Sequence, residues 1–151
     1  MFSKQEMKDL SLAFWHKLES KTRRLPGQNG RAKVWIATRT GIPHLDLRFD
    51  VDREHCIVAL EIRNMGSESS AALWEKLVSC KSLFEQTYGD SLTWDDAYQK
   101  KAGDVVYRVY KETNGDLYRQ ELWPDMIYFL IDNMIKMERA FLEVQDFLRL
   151  F

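Results

Sequence analysis

Cysteine is scarce in this chain, with only Cys56 and Cys80 among 151 residues. The two lack metal-ligand spacing and fall in apolar patterns, so they read as reduced core residues rather than as a disulfide or zinc framework. Long apolar runs are missing too. The longest, Met126 to Ile131, falls far short of the ~20 residues that cross a bilayer, which removes the membrane as a partner. The opening Met-Phe-Ser-Lys-Gln-Glu lacks the apolar stretch of a secretory signal, so the chain is expected in the cytoplasm. Histidine is thin, and His16, His44 and His55 are scattered over different segments. No serine or cysteine nucleophile has a recognisable partner, and no lysine-serine pair follows a glycine run. Hydrolase triads, histidine zinc sites and nucleotide-binding loops are thereby excluded, and no cofactor or metal is implied.

What is present describes one ordinary globular domain over residues 1–151, with 45% apolar and 30% charged residues and a net charge of −1. The charge is unevenly spread. Between Lys17 and Arg39 seven basic residues face the single acid Glu19, so that segment carries about +6 and the rest about −7. Arg23, Arg24, Arg31 and Lys33 cluster around Pro26, Gly27 and Gly30. Cations on a glycine-containing loop suit phosphate, which makes these four the candidate nucleic-acid-binding residues. The alternative is a solvated loop.

The periodicities give the elements. Ser3 and Glu6 have capping-box spacing, and Met7, Leu10, Phe14 and Leu18 follow at helical intervals. Lys33–Thr38 reads as a short strand. Leu45, Leu47, Phe49 and Val51 alternate with Asp46, Arg48 and Asp50, and Cys56–Arg63 follows after a turn. A helix is predicted over Ser69–Tyr88 with Gly89 as its cap, then a strand over Asp104–Glu112. Asn114-Gly115 signals a hairpin turn with a short return at Leu117–Arg119, and a last helix starts at Pro124. The expected fold is α+β: an antiparallel or mixed sheet of four to five strands with three helices packed on it, in the order helix-strand-strand-strand-helix-strand(-strand)-helix.

Register follows from the apolar pattern. Pairing Val51 with Cys56 brings Phe49 to Val58 and Leu47 to Leu60, and places Asp46 opposite Glu61. Facing carboxylates repel unless a cation lies between them. If the cation is a metal, the element order and the triplet Glu61-Ile62-Arg63 suggest a divergent PD-(D/E)xK-like nuclease, with Asp46, Glu61 and Arg63 as candidate catalytic residues. Arginine stands there where lysine is expected, and it prefers to fork onto carboxylates. If the cations are Arg63 and Arg48, on the diagonals, the face is an ion-pair ladder.

The last helix carries more apolar residues than one buried face requires. Its end, with Phe141, Val144, Phe147, Leu148 and Phe151, is the candidate interface of a homodimer. The same residues also suit a core.

Phe14-Trp15, Leu83-Phe84-Glu85 with Tyr88-Gly89, Leu92-Thr93-Trp94 and Leu122-Trp123-Pro124 together resemble the bacterial domain-of-unknown-function family 4268, over most of the chain. Members of that family are often found behind nuclease-like or restriction-type domains. The resemblance implies a cytoplasmic α/β domain with a nucleic-acid or defence-associated accessory role, and it supplies no catalytic residues. The leading expectation is a non-catalytic accessory or interaction domain, uncharacterised, contacting nucleic acid through the basic loop. The alternatives are the divergent nuclease and a purely structural, self-associating protein.

Overall fold

The computed structural model describes residues 1–23 and 40–150. Helix α1, Lys4–Thr22, starts from a complete capping box: the Glu6 amide donates to Ser3 Oγ and the Ser3 amide to Glu6 Oε1, each at 3.1 Å. Its buried residues, Phe14, Leu18 and Thr22, lie one turn apart on the same stripe. Strands β1, Leu45–Val51, and β2, His55–Ile62, form an antiparallel pair in the expected register, including Asp46 opposite Glu61. Helices α2, Glu68–Ser79, and α3, Lys81–Tyr88, come next, then strands β3, Thr93–Gln99, and β4, Val105–Asn114. A short 3-10 turn at Gln120–Leu122 leads into α4, Trp123–Leu148.

The described residues thus form an α+β fold with four helices and a four-stranded antiparallel sheet of order β1-β2-β4-β3. Three sequence expectations change, the first being that Thr93–Gln99, for which no strand was expected, forms β3. The helix expected over Ser69–Tyr88 breaks at Cys80, whose backbone leaves helical geometry at φ −94°, ψ 7°. The Ser79 hydroxyl donates to the Lys76 carbonyl at 2.6 Å, and such local bonding competes with the helical ladder. The hairpin expected at Asn114-Gly115 does not form. The Gly115 amide bonds Glu54 O and the Leu117 amide bonds Asp52 O, so the chain runs along the β1–β2 turn instead of returning on β4. Gly115 passes so close to Cys56 and Met126 that an added Cβ would lie 3.1 Å from each. The strand expected at Lys33–Thr38 lies outside the described residues.

Strand β2 is central and buried on both faces. One face, through Cys56, Val58, Leu60 and Ile62, joins a core with Phe14, Leu18, Leu73, Leu77, Phe84 and much of α4. Among the described residues every helix contributes to that face. The opposite face, helix-free among the described residues, carries Asp46, Arg48, Asp50, Glu61 and Arg108, the alternate residues of β1, β2 and β4. Among the described residues no helix is long and apolar enough to cross a membrane.

Candidate functional site

Charge on the helix-free face converges on one residue. Glu61 is fully buried there, as is its cross-strand partner Arg108 on β4. Arg108 forks onto Glu61 Oε2 through Nε, at 3.0 Å, and through Nη2. Glu61 Oε1 takes Lys100 Nζ at 3.1 Å and has Arg48 Nε at 3.8 Å. The third arm of Arg108, Nη1, reaches Asp50 Oδ2 at 3.1 Å, and its guanidinium lies 4.1 Å from the centre of the Tyr98 ring. Burial by itself lowers the pKa of Arg108, but the carboxylates of Glu61 and Asp50 outweigh it and raise that pKa above its ordinary value. Asp46 meets Arg63 Nε at 2.5 Å.

The structure therefore sets Asp46 and Glu61 opposite each other in register but gives each carboxylate its own guanidinium. Arg63 serves Asp46 and Arg108 serves Glu61. A carboxylate with both oxygens engaged by cations has little left for a metal. Among the described residues no group of three His, Cys, Asp or Glu side chains is placed to hold one. Arg108, Lys100 and Tyr98 were not found by sequence reasoning. The signal for Arg108 was its position as the one charged residue within Val105-Val106-Tyr107-Arg108-Val109-Tyr110. Nothing local marked Lys100.

Of the candidate nucleic-acid-binding residues, Arg23 closes α1, exposed and paired with Glu19. Arg24, Arg31 and Lys33 lie outside the described residues. Of the candidate interface residues, Phe141, Val144 and Leu148 are buried in the chain's own core, because α4 crosses the sheet and keeps its apolar stripe on it to the end. Phe147 is exposed, with Leu150 beyond it. Phe151 lies outside the described residues. A cavity of about 570 Å3 opens between the β1–β2 turn and the start of α4, with Arg53, Arg119, Glu54, Asp116 and Asp125 around a floor of Met126 and Phe129. Cys56 is buried against α4, which pushes its thiol up to about 12, while Cys80 is only half-buried, and both are free.

The residues that carry the family resemblance have folding roles. Glu85 Oε2 accepts the Leu92 amide at 2.7 Å and the Trp94 indole N–H at 3.0 Å, holding the α3–β3 connection. The Tyr88 hydroxyl donates to Asn133 inside the core, and Gly89 takes the left-handed φ of 101° that ends α3. Phe14 meets Trp123 edge-on at 5.4 Å, and the Trp123 indole donates to Leu117 O at 3.0 Å. No curated protein and no solved structure matches the chain. A model of the family described as Domain of unknown function (DUF4268) matches residues 10–145, which takes in all of these side chains and the Glu61–Arg108 cluster. The chain therefore belongs to the DUF4268 family.

Proposed function

We propose that this chain is a non-catalytic accessory or interaction domain that contacts nucleic acid through the basic segment Lys17–Arg39. The observation that carries the non-catalytic part is the saturation of Glu61: its carboxylate is occupied by Arg108 and Lys100, with Arg48 nearby. A hydrolytic metal needs carboxylate lone pairs that converge on an open position, and these converge on guanidinium and ammonium groups. The nucleic-acid part is supported by charge. Seven basic residues against one acid form a cationic stretch in a chain of net charge −1, and sequence-independent binding to phosphates rests on such stretches. A restriction or defence setting is what the family resemblance implies.

The test is a salt titration of binding to labelled duplex DNA and single-stranded RNA, followed by fluorescence anisotropy. Four phosphate contacts predict a log–log slope of about −3.6 on duplex DNA. Reversing Arg23, Arg24, Arg31 and Lys33 to glutamate abolishes the binding. Salt-independent binding, or none at low ionic strength, overturns the nucleic-acid reading. Cleavage of DNA with magnesium or manganese that is lost in Glu61→Gln replaces the non-catalytic reading with the nuclease one.

A further inference from the structure

We propose that the tip of the β3–β4 hairpin, residues 98–104, is a salt-sensitive flap closed over the Glu61–Arg108 cluster. The register shows where this tip would lie on a flat sheet. Val105 pairs with Gln99 at the tip, whereas Asp52 follows the Val51–Cys56 pair, and Cys56 pairs with Thr113. The stretch of β4 from Val105 to Thr113 separates those two levels by about 27 Å at ~3.4 Å per residue. Lys101, beyond the tip's last pair, nevertheless brings its Nζ to 3.0 Å from Asp52 Oδ2. Tyr98 pairs with Val106, yet its ring meets the ring of Tyr110 at 5.4 Å. Both contacts require the tip to fold back across the helix-free face.

The chain supplies the bend. A register shift between Asp95 and Tyr98 puts a bulge in β3, and bulges bend and twist the strand that carries them. Gly103, at φ 102°, closes the tight turn over Lys100–Asp104. Three contacts then hold the tip down: Lys101 on Asp52, Lys100 on Glu61, and the Tyr98 ring on Arg108.

Of these contacts, the Lys101–Asp52 pair is of a kind that salt weakens, and the two more buried ones are screened far less. The Lys101 side chain is 79% exposed, so its pair is screened by mobile ions. Opening also returns water to Glu61 and Arg108, whose burial as charged groups is itself unfavourable. The open form thus regains hydration as it loses weak pairs, while the helical face of the sheet is untouched. In the open form Asp50, Glu61 and Arg108 face solvent, so access to this cluster is gated by the hairpin tip.

Carboxyl labelling with a carbodiimide and glycine ethyl ester reads the gate at Glu61, with the exposed Glu121 as the internal reference. Backbone hydrogen exchange in α4 reads global unfolding in the same samples. The proposal expects Glu61 labelling to rise about fivefold between low and high sodium chloride, the scale of one exposed pair. A rise of more than tenfold is expected in Lys100→Met/Lys101→Met at low salt, with exchange in α4 unchanged. Asp52→Asn, which weakens the Lys101 pair and leaves Lys100, Glu61 and Arg108 in place, gives a smaller rise and serves if the double variant folds poorly. Glu61 labelling that stays at the wild-type level in both variants and in high salt overturns the flap. So does labelling that rises only in step with exchange in α4.

Discussion

Arg108 is the residue on which the helix-free face depends. It bonds Glu61 and Asp50 together and stacks on Tyr98, all from full burial. Removing one partner of a buried pair leaves the other charge without compensation, which costs about 3–5 kcal/mol. Arg108→Met is therefore expected to lower stability in urea unfolding by about that much. The double change Glu61→Leu/Arg108→Met is expected to recover most of the loss, because apolar replacement of a whole buried pair is often neutral or better. A double variant as unstable as Arg108→Met would show that the Asp50 and Lys100 contacts, and not the pair, carry the energy. Asp46 and Glu61 were legible in the sequence as facing acids, since a strand with one apolar face has only one workable register. Their cations were half legible. Arg63 and Arg48 lie on diagonals that the register supplies, whereas Arg108 arrives from a strand nearly fifty residues away whose partner no local pattern names.

Elements were read well where one face alone is buried and poorly where the chain changes direction. β1 alternates strictly because its other face carries charges, so its bounds followed from the pattern. The division of the second helix into α2 and α3 was hidden, because Leu73, Leu77, Phe84 and Tyr88 keep helical spacing across the break and all reach the core. Gly89 ends α3 in a left-handed conformation that an L side chain strains by about 1–2 kcal/mol. Gly89→Ala is expected to lose about that much in thermal or urea unfolding, and a neutral result would mean the cap relaxes. At the other end of the sequence, Ser3→Ala removes the capping-box acceptor of α1 and is expected to cost about 1 kcal/mol. Edge strand β3 is guarded by its bulge and by Asp95 and Asp96, features that discourage pairing with another sheet.

At the scale of the molecule, the two layers divide the work. The helical layer makes the core, and the opposite face gathers the charges, with Asp52 at its rim. Partial burial alone would raise the pKa of Asp52. The amides of Glu54 and His55, the Lys101 ammonium and the His55 ring outweigh this and hold the carboxyl down at about 2, from an ordinary 3.8. A carboxyl lowered on folding adds stability above its unfolded value and loses it as pH falls through the folded one. Asp52→Asn is thus expected to be less stable than the wild type near neutral pH, with the gap closing between about pH 4 and pH 2. Urea midpoints measured across that range check this, and a gap independent of pH would assign the loss to something other than the Asp52 charge. The α+β class and the β1–β2 register were legible from periodicity. The curl of the β3–β4 tip was not, because it follows from a bulge that alternation does not encode.

The position of α4 also has a consequence for how the protein is made. This helix follows all four strands in the chain and lays Met126, Leu130, Met134, Met137, Phe141 and Val144 on the apolar face of the sheet. Until residues 123–148 have left the ribosome, only α1, α2 and α3 can cover that face, and the helix that supplies most of its apolar partners is missing. At ~5–20 residues per second the sticky interval lasts seconds. The nascent chain is then open to aggregation through that surface until α4 docks on it.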